Sequence, residues 1–471
     1  MSFFTDLGKQ KTPSKEQDAN SAEEKQLKET DQQVKEVQAE TKEGESKTSE
    51  IPQVKTEKRQ EVSTSGSSKS DDITFIDQMD DVTKFLDELI YKAIQADASD
   101  IHIEPQENVI IVRFRVDGIL RKMYEIKKEL EATIMFKLKI LAKLPTDEHF
   151  SPLDGRIPFI YKEKKVDTRL SILPITKGEK VVIRILSSEG KSYDLADLGI
   201  IDKELEMIKK AYSKPYGMIL AVGPTGSGKT TTLYSILKVI SRPEINVTTL
   251  EDPVEYDIEG VNHVQINNKV DLTFANGLRA ILRQDPNVIM IGEIRDSETA
   301  KIAINAAMTG HIVLSTLHTN DAVTTIPRLV DMGVEKFLVA STLNVIVAQR
   351  LARRLCPDCK QKVKLTSTEL SALKETRPDI AALLKEGTEV FSEKGCSKCK
   401  GSGFKGRIGL YEILEVKENI RKQIATSANA DELYDMARDN GLKLIVEDGV
   451  KRILDGTTSI TEVGRVTALK E

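Results

Sequence analysis

The 471-residue chain has no tryptophan, and aromatic residues make up only 5% of it. No uninterrupted run of 18 apolar residues occurs, which excludes a helix long enough to cross a bilayer. The first residues lack the basic start and apolar stretch of a secretory signal. Only four cysteines are present, all within two Cys-x-x-Cys pairs, so none is left for a disulfide framework. A cytosolic protein with a metal site fits that usage best. Charge of one sign is missing too: 69 basic and 74 acidic residues give a formal net charge of −5. Residues 1–72 hold 12 basic and 16 acidic groups, and the rest of the chain holds 57 and 58. A body so near neutrality lacks the basic excess and the aromatic-basic stripe of a protein that tracks along nucleic acid.

What is present falls into segments. Residues 1–72 are Lys, Glu, Gln, Ser and Thr nearly throughout, with no aromatic between Phe4 and Phe75. Such a composition buries too little apolar surface to offset its ordering entropy, and a disordered polar tail is expected. From Ile73 the pattern tightens. Val82, Phe85, Leu86, Leu89, Ile90 and Ala93 recur at helical spacing. Short β-like runs follow at Ile101–Ile103, Val109–Val116 and Ile119–Tyr124, with Asp117-Gly118 as a hairpin turn. Ile134, Leu138, Leu141 and Leu144 mark a second helix, closed by Pro145, and further strands fit Val166–Leu173 and Val181–Leu186. Beyond Asp194, apolar runs at Met218–Val222, Val247–Leu250, Val288–Ile291 and Ile312–Leu314 alternate with helical stretches, as in a parallel sheet covered by helices. The end of the chain reads as two helical segments, around Ile420–Ile424 and Ala430–Leu454.

The sharpest motif is Gly223-Pro224-Thr225-Gly226-Ser227-Gly228-Lys229-Thr230, between a strand and a helix expected from Thr231. Glycines let backbone N–H groups curl around phosphate oxygens at the positive end of the helix. Lys229 would neutralise the β- and γ-phosphates, and the Thr230 hydroxyl would face Mg²⁺. Three more strands deliver polar groups at their carboxyl ends: Glu251-Asp252-Pro253-Val254-Glu255, Gly292-Glu293, and Ser315-Thr316-Leu317-His318. Each of these acids alone could be a helix cap. Together they point to metal and water handling. Arg279 and Arg283 are spaced to share a helix face, and Arg169 and Arg184 lie on neighbouring expected strands. By spacing alone all four remain open between a γ-phosphate role and solvated surface charge.

Cys356-Pro-Asp-Cys359 and Cys396-Ser-Lys-Cys399 can converge on a tetrahedral Cys₄ zinc site, with helices at Thr368–Leu373 and Pro378–Leu384 filling the insert. No water-activating set accompanies them, so the metal would be structural.

These residues carry a resemblance. Ala98-Ser-Asp-Ile-His-Ile-Glu-Pro105, Gly223–Thr231, Thr249-Leu-Glu-Asp-Pro-Val-Glu255-Tyr256, Leu278–Asp296 and Thr309–Asp321 resemble, in order, the boxes of the traffic ATPases that drive type IV pilus assembly and type II secretion, the PilB/GspE family. The resemblance implies an α/β protein. It would have a disordered tail (1–72), an N-terminal α+β, PAS-like regulatory domain (73–187) and a linker (188–193). A RecA-like P-loop ATPase core (194–350), a tetracysteine zinc element (351–410) and a C-terminal helical subdomain (411–471) would follow. It implies ATP, Mg²⁺ and Zn²⁺ as bound groups, with Thr231 closing the ATP-binding loop. Glu255 would polarise the attacking water, Glu293 would support Mg²⁺ and the catalytic geometry, and His318, with His311 nearby, would sense the γ-phosphate. Arg169, Arg184, Arg279 and Arg283 match arginines placed around the nucleotide. His102 and Glu104 match a motif but read as structural. Leu153-Asp-Gly-Arg156 stands where the family commonly has Gln-Asp-Gly-Arg, and Asn287 stands where Asp is frequent. A homo-hexameric cytoplasmic motor is implied, recruited to the inner face of the membrane through an inner-membrane platform protein and a candidate cytoplasmic adaptor, without nucleic acid. The tetracysteine element matches the assembly and secretion branch rather than the retraction branch. A nucleic-acid motor of the same core fold, a retraction ATPase and a nucleotide-sensing scaffold are the rival readings.

Overall fold

A computed structural model of the protein describes residues 73–79, 81–186 and 193–468. The expected polar tail lies outside these residues, as does nearly all of the expected linker. Local chemistry sets the first elements. Asp81 caps α1 (Val82–Gln95) by accepting the Thr83 and Lys84 N–H groups at 2.8 and 3.1 Å, and Leu86, Leu89, Ile90 and Ala93 of the helix are buried. Asp117 and Gly118, both at positive φ, close the two-residue turn between β3 (Val109–Val116) and β4 (Ile119–Lys127), as a primed hairpin requires. With β1 (Thr74–Ile76), β2 (Ala98–Pro105), β5 (Leu153–Tyr161), β6 (Lys164–Ile175) and β7 (Gly178–Leu186) they form a seven-stranded sheet in the order β1-β4-β3-β2-β7-β6-β5. Helices α1 and α2 (Glu131–Leu141) supply much of its apolar cover. Strand β5 gives little sequence signal because it is an edge strand: only Ile157 is fully buried, and Pro158 sits where a central strand would lose a ladder bond.

The second sheet has the order β10-β9-β11-β12-β8-β13-β16. After α3 (Asp202–Tyr212), β8 (Gly217–Val222) leads into α4 (Lys229–Ile240); β9 (Val247–Glu251) and β10 (Val261–Gln265) precede α5 (Phe274–Ile281). Then come β11 (Val288–Ile291), α6 (Ser297–Met308), β12 (Ile312–Leu317), α7 (Thr325–Asp331), α8 (Lys336–Thr342) and β13 (Leu343–Leu355). These strands pair in parallel, and β16 (Phe404–Glu415) closes the edge antiparallel to β13. Strand β8 is buried at every residue: Met218, Leu220 and Val222 face one core, Ile219 and Ala221 the other. Burial on both faces is why its sequence reads as a continuous apolar run.

The boundary expected at Arg350 falls inside β13, and β16 extends the same sheet to Glu415. Three arginines after Gln349 (Arg350, Arg353 and Arg354), and two glycines within Phe404–Glu415, hide these strands from hydropathy. Between β13 and β16 lie β14 (Gln361–Lys364), α9 (Ser367–Thr376), α10 (Pro378–Ala381) and β15 (Glu389–Ser392). Four helices follow: α11 (Glu418–Thr426), α12 (Ala430–Asp439), α13 (Ile445–Leu454) and α14 (Ile460–Thr467). The single segment expected over Ala430–Leu454 is broken at Asn440-Gly441, where Gly441 takes φ 89° and the Leu442 N–H closes back on the Ala437 carbonyl. Among the described residues, no helix is long and apolar enough to cross a membrane.

Helix α14 is fastened to β13 through Glu462, which is 1% exposed. Its carboxylate accepts from the Arg353 side chain at 2.7 Å, the Arg353 backbone N–H at 2.9 Å and the Arg465 guanidinium at 2.6 and 2.8 Å. Burial alone would raise its pKa; the two arginines outweigh that and hold it at about 2, against an ordinary 4.5. The stabilisation is therefore complete above about pH 4.5 and lost as pH falls towards 2, a contribution of about 3 kcal/mol. Urea unfolding at pH 7 and pH 3 should show a smaller pH effect in Glu462→Gln than in the natural chain; equal effects would refute the clamp.

Candidate functional site

The loop between β8 and α4 is shaped by its glycines. Gly223 has φ 143°, and a Cβ there would stand 2.5 Å from the Gln349 carbonyl oxygen and 2.8 Å from Ser227 Oγ. Gln349 braces the loop from β13: its Nε2 donates to the Ser227 carbonyl at 2.8 Å and its Oε1 accepts from Thr232 Oγ1 at 3.0 Å. Lys229 is buried, and its Nζ donates to the Gly223 and Pro224 carbonyls at 2.8 and 3.2 Å. Burial lowers the pKa of its ammonium, and the Glu293 carboxylate works against that. Pro224, Thr225 and Gly226 form the exposed crest, Gly228 starts the helix at φ 91°, and Thr230 and Thr231 sit half-buried in its first turn. Ser227 Oγ is buried without a hydrogen-bond partner among the described residues, the kind of orphaned group a phosphate oxygen or a metal-bound water satisfies.

The ends of β11 and β12 meet this loop. Ser315 and Thr316 on β12 donate to the Ile291 and Gly292 carbonyls at 2.9 and 2.7 Å, lashing the two strand ends together. Glu293 thereby lies 3.5 Å from His318 Nε2, and it also pairs with Arg295. Lys229, Glu293 and His318 are thus neighbours. His311 is not: it stands at the opposite end of β12, seven residues or about 23 Å away, with Nδ1 2.9 Å from the Ala306 carbonyl oxygen. The expected closeness of His311 to His318 fails because a strand separates them.

The two acids after β9 have different surroundings. Glu251 is 2% exposed, and its carboxylate accepts from Tyr234 OH, Thr249 Oγ1 (2.6 Å) and His263 Nδ1 (2.9 Å). Because His263 Nε2 accepts the Ile258 N–H at 3.1 Å, the proton must sit on Nδ1. Burial and the Glu251 charge hold Tyr234 protonated far above its ordinary range, and the Tyr234 oxygen accepts the Glu255 N–H at 3.3 Å. Tyr234 therefore joins the loop's helix to the Glu255 segment. The Glu255 carboxylate itself makes no hydrogen bond among the described residues.

Arg169 comes from the first sheet, donating to the Val254 carbonyl beside Glu255, whose charge it feels. Arg156, Arg169 and Arg184 are direct cross-strand neighbours on β5, β6 and β7. Arg156 donates to Gln265 Oε1 at 3.3 Å, whereas Arg184 is held at 2.9 Å by Asp100. Arg279 pairs with Glu298 of α6, and Arg283, two residues past α5, folds back onto the Arg279 carbonyl at 2.9 Å. The structure brings Arg169 to the acids; Arg184, Arg279 and Arg283 bond elsewhere. His102 and Glu104 remain within the first sheet, Glu104 being paired with Arg113 and Lys180. Sequence reasoning gives no role to Tyr234, His263 or Gln349, and names Arg156 only within the Leu153-Asp-Gly-Arg156 motif. Tyr234 lies inside the helix expected after the loop, no element is expected around His263 or Gln349, and Arg156 lies on the weakly marked β5.

The four cysteine sulfurs all lie within 4.8 Å of one another, with Sγ···Sγ separations of 3.9 (Cys356–Cys396), 3.8 (Cys359–Cys399) and 3.7 Å (Cys396–Cys399). A tetrahedron with Zn–S bonds of about 2.3 Å has edges of about 3.8 Å, so the set fits zinc. The backbone N–H groups of Cys396 and Gly403 already point at Cys399 Sγ, at 3.1 and 3.2 Å, as they would at a metal thiolate.

A glycine loop at the carboxyl end of a buried parallel strand, with acids and a histidine from the adjoining strand ends, defines a P-loop nucleotide-binding protein of RecA-like architecture. Comparison with known proteins narrows this: residues 76–465 match the family described as "Type II/IV secretion system protein", and the chain belongs to it. It is 43% identical over 394 residues to the type II secretion system protein E of Pseudomonas aeruginosa, covering 83% of this chain and 77% of that one. It is 45% identical over 380 residues to the type IV pilus assembly ATPase PilB of Thermus thermophilus, covering 81% of this chain and 42% of that longer one. In fold it is similar to the ATPase DotB of Legionella pneumophila, with a TM-score of 0.61 at 21% identity, covering 83% of this chain and 98% of that one.

Proposed function

We propose that the chain is an ATP-hydrolysing motor that drives assembly of a type IV pilus or a type II secretion pseudopilus. One observation carries the reading: Lys229, Glu293 and His318 converge at the glycine loop, while Glu255 stands nearby with an uncommitted carboxylate beside Arg169. ATP would lie with its phosphates in the Gly223–Thr231 loop, against Lys229. Mg²⁺, held through Thr230, would neutralise charge developing between the β- and γ-phosphates. Glu255 orients the attacking water and draws off its proton. Glu293 fixes the geometry opposite, and His318, within reach of Glu293, senses the γ-phosphate. Arg169 ties the first sheet to the Glu255 loop, so a change there moves the sheets against each other. Arg184, Arg279 and Arg283 would have to leave Asp100, Glu298 and the α5 end to reach nucleotide, which assigns them to a closed state or to a neighbouring subunit. Zn²⁺ at Cys356, Cys359, Cys396 and Cys399 is structural.

The working form is a cytoplasmic homo-hexamer recruited to the membrane by an inner-membrane platform protein, with a cytoplasmic adaptor as a further partner. Pilus assembly and secretion are supported alike by the names of the relatives. The test is phosphate release from ATP and Mg²⁺ by the purified full chain, with and without DNA and with the platform protein supplied. Turnover indifferent to DNA is expected. Inertness under every condition overturns the proposal, and strong stimulation by DNA replaces it with a nucleic-acid motor.

A further inference from the structure

Glu412 is a carboxylate where the fold has no local need of one. It lies on β16 between Leu410 and Leu414, is 4% exposed, and shares their core-facing side of the sheet. Across the sheet it is level with Ala348 on β13 and, beyond that, with Val222, the residue before the glycine loop. A buried charge at such a place costs stability that leucine would not, unless its partners use it. Its partners are specific. Oε1 accepts the Ala322 N–H at 2.8 Å, four residues after His318 on the same loop. The strand is tied to α13 at the adjacent residue, where the Tyr411 N–H donates to Asp448 at 3.1 Å, and the nearby N–H of Ile445, first residue of α13, favours the charged form of Glu412. Arg350, next to Gln349, donates to the Asn320 carbonyl at 2.9 Å and feels both Glu412 and Asp321.

We propose that Glu412 is a positioning residue that joins the loop bearing His318 to the first turn of α13, so that displacement at the nucleotide and displacement of the C-terminal helices are one event. This rests on the ATPase reading above but concerns a different link, from the γ-phosphate side of the site to α12 and α13. The surroundings make the link switchable. Burial pushes the Glu412 carboxyl up to about 7; the Asp321 charge adds to the rise, and the Ala322 and Ile445 N–H groups and Arg350 oppose it. Tyr434 and Arg438 on α12 face it as well, and Glu447 on α13 is bound to Arg438. Above about pH 7 the ionised carboxylate grips the Ala322 N–H. Below it the neutral acid is the weaker acceptor, and the loop loosens.

The test uses the full chain with Glu412→Gln and Asp321→Asn, the second keeping an acceptor for the Thr324 N–H. In the natural chain kcat for ATP should fall by about tenfold on the acid side of neutrality, with KM little changed. Glu412→Gln should flatten that limb, and Asp321→Asn should move it to lower pH. Hydrogen exchange, corrected for intrinsic rate, needs no turnover: segments 318–323 and 444–447 should lose protection together in Glu412→Gln and on lowering pH in the natural chain. Should Glu412→Gln fail to fold, the Asp321→Asn shift and the natural chain's exchange carry the decision. An unchanged acid limb, or loosening of one segment without the other, overturns the link. An inert natural chain strikes the ATPase reading, while the exchange result still decides this one.

Discussion

Glu255→Gln should leave ATP bound and nearly unbroken, with turnover lower by roughly 10²- to 10⁴-fold, the usual worth of a positioned general base. The environment of each acid argues for this choice. Glu251 is enclosed by Tyr234, Thr249 and His263 and almost wholly buried, so a water has no path to its carboxylate. Glu293 is engaged by Arg295 and His318. Glu255 alone among the three has an uncommitted carboxylate, and its backbone is anchored through Tyr234 to the helix that opens at Lys229. The amide variant keeps size and hydrogen-bonding reach but removes basicity, so nucleotide affinity should hold while phosphate release collapses. The contrasting variant is Glu251→Gln, which injures a buried network and should show first as lost thermal stability. Turnover within twofold of the natural chain in Glu255→Gln would mean that another group takes the proton.

Removal of metal from the four cysteines should have the largest effect on stability, and a local one. Structural zinc contributes about 10–16 kcal/mol to small zinc-finger peptides. Here Cys356 follows directly on β13 and Cys399 shortly precedes β16, so a metal would close the insertion at its neck, where the Cys356 N–H already meets the Gly403 carbonyl at 2.8 Å. Chelation, or Cys359→Ser, should expose residues 356–403 to protease while β8, β9, β11 and β12 stay protected. Metal content measured before and after treatment makes the result decisive: protection unchanged in protein stripped of metal would show that the insertion stands on its own packing.

How much of this was legible beforehand depends on how each element encodes itself. The fully buried strands β8, β11 and β12 announce themselves as apolar runs, and the glycine loop is a fixed string of residue types. Edge strand β5 and the closing strand β16 do not, because Pro158, Gly406 and Gly409 break the pattern that hydropathy follows. At the site, the acids and His318 stand at strand ends, where topology alone assigns them. What separates Glu255 from Glu251 is three hydrogen bonds, none visible from spacing. The arginines show the same limit: four looked alike in the chain, yet only Arg169 reaches the acids, since Asp100, Glu298 and the end of α5 hold the others. His311 misled through proximity in sequence, which a strand converts into distance.

Strand β13 links the glycine loop to the cysteines as one continuous rod. Its thirteen residues extend about 43 Å. On the way they place Gln349 under the glycine loop, Arg350 beside Asn320, Arg353 in the α14 clamp, and then enter Cys356. A stiff rod gripped near its middle converts a small rotation into a larger sweep at its tip. A tilt of about 5° about Gln349 would carry the cysteine end, seven residues or about 23 Å further on, roughly 2 Å. The metal knot would then ride as the far end of a pointer whose pivot is the phosphate pocket.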